Sequence, residues 1–100
     1  MLHHVLFWLK NPSSGQDRQE LITGLKKLSD AGNLQSIQIG LPADTPDREV
    51  IDSSFDVSLM VSFHNIVDHN EYQEHAIHEK FIAECSHLWD RVKVYDIQEI

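Results

Sequence analysis

The sequence predicts an α+β fold of order βαββαβ, with helices on one face of a four-stranded antiparallel sheet. Three observations lead there. Residues 2–10 and 55–63 have the two-residue alternation of strands, whereas residues 14–30 and 78–89 carry apolar side chains at helical spacing. Both faces of the first strand are largely apolar, so each needs a covering layer. Two helical regions can cover only one face of the sheet.

The first strand is predicted over Leu2–Lys10, with His3, Val5, Phe7 and Leu9 on one side and Leu2, His4, Leu6 and Trp8 on the other. The turn-rich run 11–15 ends it. Ser14, with Asp17 three residues on, opens a helix reaching about Asp30, because a Ser side chain can accept from a free amide of the first turn. Leu21, Ile22, Leu25 and Leu28 form its apolar stripe, and Ala31-Gly32-Asn33 stops it. A second strand, Leu34–Leu41, alternates Ile37, Ile39 and Leu41 with Gln38 and Gly40; the polar stretch 42–54 reads as loop. The third strand, Phe55–Phe63, alternates Phe55, Val57, Leu59, Val61 and Phe63 with Asp56, Ser58, Met60 and Ser62. Asn65 with Asp68 begins a short helix through Tyr72, bent or interrupted near His75–Ile77. A longer helix carries His78, Phe81, Ile82, Cys85, Leu88 and Trp89, and the last strand is Arg91–Ile97. This order is that of a ferredoxin-like layer.

The remaining sheet face is expected to carry Leu2, Leu6, Trp8, Met60, Val92 and Val94. Such a patch exceeds what a soluble monomer normally exposes, so a homodimer burying sheet against sheet is expected. Residues 1–100 are expected to form one domain. A formal charge of −8 argues against nucleic acid and against a polybasic membrane contact. No apolar run approaches a membrane span, and no secretory signal pattern opens the chain. With Cys85 the only cysteine, no internal disulfide can form, and a cytoplasmic location is expected.

Tyr72, His75 and His78 fall at three-residue steps, a spacing that brings side chains together on a helix face. A phenol can donate to a forming oxyanion, and imidazole exchanges protons near neutral pH. Together with the first-strand histidine His3, the strand bearing Phe55-Asp56 and the run from Cys85 to Asp96, this segment resembles the stress-responsive A/B-barrel (Dabb) family over nearly the whole chain. Two positions depart from the family pattern: Ala76 stands where proline is common, and Trp8 where lysine is common.

The resemblance implies a dimeric α/β barrel with a ligand pocket between sheet and helices. In plant members that cyclise polyketides, the matching tyrosine and last histidine act on the substrate. Carried over, His78 is the base that withdraws a proton alpha to a carbonyl, and Tyr72 the oxyanion donor. His3 and His75 support them, and Phe7 and Phe81 join as ligand contacts. The implied protein binds a small hydrophobic or aromatic compound, acting as a cyclase or lyase on an aromatic or polyketide-like carbonyl compound without a cofactor. The family position of Asp56 carries an acid, with a backbone amide or a histidine as its candidate partner.

The residues alone allow a second reading, a non-catalytic stress-associated dimer in which Tyr72 and the histidines orient a ligand or satisfy the core. A third, a monooxygenase or haem-handling dimer, lacks evident site residues. Seven histidines raise the question of a metal, but there is no His-Glu-x-x-His and no paired Cys/His spacing, so no dedicated ligand set and no catalytic metal are expected, and a structural ion is left open. Cys85, on the apolar stripe, reads as a small core filler.

Overall fold

The computed structural model describes every residue, Met1–Ile100. Its elements are β1 (Leu2–Leu9), α1 (Gly15–Lys26) with a 3-10 turn Lys27–Asp30, β2 (Ser36–Gly40), β3 (Val57–Ser62), α2 (Ile66–Glu74), α3 (Ala76–Cys85) with a 3-10 turn Ser86–Leu88, and β4 (Trp89–Ile97). The strands pair antiparallel in the order β2-β3-β1-β4, the ferredoxin-like arrangement.

Each helix start has a local cause. The Ser14 hydroxyl accepts from the Asp17 amide at 3.1 Å, and the Asn65 side-chain oxygen accepts from the Asp68 amide at 2.8 Å. At the α2–α3 break, His75 is extended (φ −69°, ψ 142°), and its Nδ1 accepts from the Ile77 amide at 3.1 Å. Gly32, at φ +112°, turns the chain out of the 3-10 segment, a conformation that side-chain-bearing residues rarely adopt.

The core lies between the helices and one sheet face. Leu21, Leu25 and Leu28 of the α1 region pack with Val57 and Val61 of β3, all fully buried. Burying a side chain of this size contributes about 1.5–3 kcal/mol. The helices approach closely because Gly24 has no side chain: a Cβ there would lie 2.5 Å from the Cys85 sulfur.

Two expectations need correction. Trp89 does not continue the last helix. The α-helix ends at Cys85, the next three residues tighten into a 3-10 turn, and Trp89 opens β4 opposite Leu9, where the register of β1 against β4 shifts. Its ring still joins the core layer, stacked on Phe81 with centroids 5.7 Å apart.

Val92 and Val94 do not belong to the outer sheet face. The register pairs Phe7 with Val92, Val5 with Val94 and His3 with Asp96. Partners directly opposite in antiparallel strands project to the same side, so these three β4 residues face the helical layer. The outer face instead takes Lys93, Tyr95 and Ile97 beside Leu2, Leu6, Trp8 and Met60. The Arg91 guanidinium lies 4.2 Å from the centroid of the Trp8 ring. Asp56 resolves to a backbone role: its carboxylate accepts from the Leu9 amide at 2.8 Å, and its own amide donates to the Phe7 carbonyl.

Candidate functional site

β4 is an edge strand on which the helices leave Val92 and Val94 nearly half exposed (44% and 45%). Beside it, between sheet and helices, lies a cavity of about 450 Å³. Phe7, Leu59, Phe81 and Trp89 supply apolar wall, while His3, His69, Gln73 and Asp96 bring polar groups. Tyr72 and His78 line the same cavity.

Each side chain arrives for a local reason. β1 alternation turns His3 and Phe7 toward the helices, and the pairing just described turns Asp96 the same way. α2 contributes His69, Tyr72 and Gln73, whereas α3 contributes His78 and Phe81. Tyr72 and His78 therefore sit on different helices and meet across the break at His75, with ring centroids 4.9 Å apart and planes at 68°.

The three-residue steps do not form one continuous helix face, because extended His75 interrupts it. His75 is outside the cavity wall, its ring nitrogen occupied in capping α3. His3, Tyr72, His78, Phe7 and Phe81 do share that wall.

Burial sets the protonation states. The Tyr72 phenol, with its residue fully buried, has its pKa pushed far above the ordinary value by loss of solvent, so it stays protonated and able to donate. Burial lowers the His78 pKa, and the positive charge of a protonated His3 would lower it further; the imidazole is neutral at neutral pH. The His3 pKa is also lowered, chiefly by burial, against the opposing pull of Asp96. His3 Nδ1 lies 2.5 Å from the Asp96 carboxylate, and its Nε2 is 3.3 Å from the Gln73 side-chain amide. A protonated donor beside a neutral acceptor, walled by apolar groups, can bind a carbonyl oxygen and take up an adjacent proton.

Asp96, Gln73 and His69 were absent from the residues expected at the site. His69 lies one further three-residue step before Tyr72, and Asp96 shares strand parity with Val92 and Val94; these were the available signals. No sequence spacing marks His3, His69 and Asp96 as a group, since they come from β1, α2 and β4. In space their ligand-capable atoms all lie within 4.8 Å of one another.

The model of the stress responsive A/B barrel domain family matches residues 1–99. Among solved structures, an Arabidopsis thaliana protein aligns at TM-score 0.80 and 21% identity, covering 99% of this chain and 94% of that one. A hydroxynitrile lyase from Passiflora edulis aligns at TM-score 0.75 and 19% identity, covering 99% and 94%. A dimeric ferredoxin-like protein from Thermobifida fusca aligns at TM-score 0.73 and 19% identity, covering 94% and 85%. No curated protein matches the chain significantly. No helix is long and apolar enough to cross a membrane.

Proposed function

The chain belongs to the stress responsive A/B barrel domain family, and we propose that within it this protein is a homodimer that binds a small hydrophobic carbonyl compound and moves a proton on it. The observation that carries this reading is the meeting of Tyr72 and His78 on the wall of an otherwise largely apolar cavity. Neutral His78 takes a proton from the carbon alpha to the carbonyl. The C–H electron pair becomes the enolate, whose oxygen accepts a hydrogen bond from the Tyr72 phenol. In a substrate with a second carbonyl, the enolate carbon attacks it, a carbon–carbon bond forms, and the resulting alkoxide recovers a proton from the imidazolium. No step requires a cofactor. The hydroxynitrile lyase among the structural neighbours supports carbonyl chemistry on this scaffold.

Proton–deuteron exchange at the methyl group of acetophenone in D₂O, followed by NMR, tests the chemistry. The protein is expected to accelerate exchange. His78→Ala should reduce that acceleration by about 10²–10⁴-fold, and Tyr72→Phe by about 10²–10³-fold. Equal exchange rates with and without protein would leave a ligand-binding role, read by titrating acetophenone against the same variants. Unchanged affinity in both variants would remove Tyr72 and His78 from the site altogether.

The homodimer reading rests on the outer sheet face, where Leu2, Leu6, Trp8 and Met60 remain partly exposed beside Tyr95 (46%) and Ile97 (47%). The neighbour described as dimeric supports it. Light scattering should give twice the 11.5 kDa chain mass, and Leu6→Glu should halve it. A single-chain mass for the unaltered protein would remove the dimer.

A further inference from the structure

We propose that His3, His69 and Asp96 form a binding site for one divalent transition-metal cation of the zinc class at the polar part of the cavity wall. The candidate donors are Nδ1 of His3, Nε2 of His69 and a carboxylate oxygen of Asp96. The carboxylate oxygen lies 2.5 Å from the first and 3.8 Å from the second. Ligands of a tetrahedral ion with bonds of about 2.0–2.1 Å stand roughly 3.4 Å apart. Admitting an ion therefore needs shifts on the order of 1 Å: His3 parts slightly from Asp96 while His69 closes in.

The hydrogen bonding of His69 makes the case. Its Nδ1 lies 3.0 Å from the Asn70 side-chain oxygen, so the ring proton belongs on Nδ1 and Nε2 presents a lone pair. That Nε2 is buried and has no hydrogen-bond partner. The carboxylate oxygen it faces also carries only lone pairs. A buried ring-nitrogen lone pair facing a carboxylate oxygen at 3.8 Å repels it, and a cation between the two satisfies both. Metal-bound histidines commonly donate the other ring N–H to an oxygen, the part Asn70 plays here.

His3 can make the same adjustment. Its Nδ1 bonds Asp96, and on metal binding its ring proton moves to Nε2, where the Gln73 amide can turn its oxygen to receive it. Two imidazoles and one carboxylate suit zinc, cobalt, nickel or ferrous iron better than magnesium or calcium. Asp96, 45% exposed in its side chain on edge strand β4, gives the ion a way in. Three protein ligands leave a position for a water or a substrate oxygen. The site stands apart from the Tyr72/His78 reading and survives its failure. The competing arrangement is a doubly protonated His69 paired with Asp96, which excludes a cation.

The test uses the full chain dialysed against chelator, with no substrate. Calorimetry with ZnCl₂ and visible absorption with CoCl₂ are expected to show saturable binding of one ion per chain, unaffected by MgCl₂. His69→Ala and Asp96→Asn, checked for folding by circular dichroism, should each weaken binding by about tenfold or more. His3 is nearly buried (4% exposed), so its replacement risks the fold and is not needed. His87→Ala, at an exposed histidine, should leave binding unchanged. Absence of saturable Zn²⁺ or Co²⁺ binding overturns the proposal, as does binding that survives both His69→Ala and Asp96→Asn, or that MgCl₂ displaces at equal concentration.

Discussion

The His78 imidazole and the Tyr72 ring meet edge to face, 4.9 Å between centroids, although one stands on α3 and the other on α2. Tyr72 has two parts to separate: its fully buried ring fills the core, and in the proposed reaction its hydroxyl donates to the oxyanion. The roles separate by substitution. Tyr72→Phe keeps the ring and should change thermal stability little while impairing the acetophenone exchange. Tyr72→Ala should cost about 3–5 kcal/mol in urea unfolding, because a fully buried aromatic is removed. Equal stability losses in the two variants would show that the hydroxyl, not the ring, holds the layer together.

His78 also makes stability depend on pH. Its pKa is lowered by burial first and by His3 next; Glu79 opposes and His69 adds to the lowering. The unfolded chain, with an ordinary histidine value near about 6.5, therefore binds more protons than the folded chain between the two values. Stability from this group is present above about pH 6.5 and is lost as pH falls through the lowered folded value. The melting temperature should fall on acidification below about pH 6.5, and His78→Gln, which does not titrate, should flatten that part of the curve. Parallel curves for the two proteins would exclude His78 as a source.

The central strands and the α1 stripe were legible because their patterns admit one arrangement. Val57, Leu59 and Val61 alternate with polar Ser58 and Ser62, and Leu21, Leu25 and Leu28 hold one helical side. β4 was not legible in the same way. Tyr95 and Ile97 make its second face as apolar as Val92 and Val94 make the first, so alternation cannot choose between them. The choice falls to long-range pairing with β1, which also carries Asp96 to His3. The α2–α3 break was legible as a bend or interruption near residues 75–77, but its placement at an extended His75 was not, because Ala76 lacks the proline that would punctuate it. Tyr72 and His78 do fall on the two separate helices that the sequence assigns them; what no spacing gives is the angle at which those helices meet.

That missing proline gives a stabilising substitution. Ala76 is the first residue of α3, where a helix amide has no intrahelical partner, and His75 already has the extended backbone that a following proline favours. Ala76→Pro should stabilise the fold by about 0.4–1 kcal/mol, mainly by restricting the unfolded chain. A rise in melting temperature with unchanged circular dichroism is the expected result. A fall would mean that the α2–α3 junction cannot accept the ring.

The crossing of α1 and α3 rests on a matched pair, Gly24 and Cys85. An added Cβ at Gly24 would meet the Cys85 sulfur at 2.5 Å and the Phe81 ring at 3.4 Å. Alanine is the better helix former by about 1 kcal/mol, yet overpacking at such a contact costs about 1–3 kcal/mol, so Gly24→Ala should destabilise on balance. Cys85→Ala alone removes a buried atom and should also destabilise. In the double variant the new methyl group occupies space the sulfur vacated, so the combined loss should be smaller than the sum by about 0.5–3 kcal/mol. Urea unfolding of the four proteins measures this coupling. Strict additivity would mean that the helices separate to admit the methyl group, and that the close approach is not what sets the distance between α1 and α3.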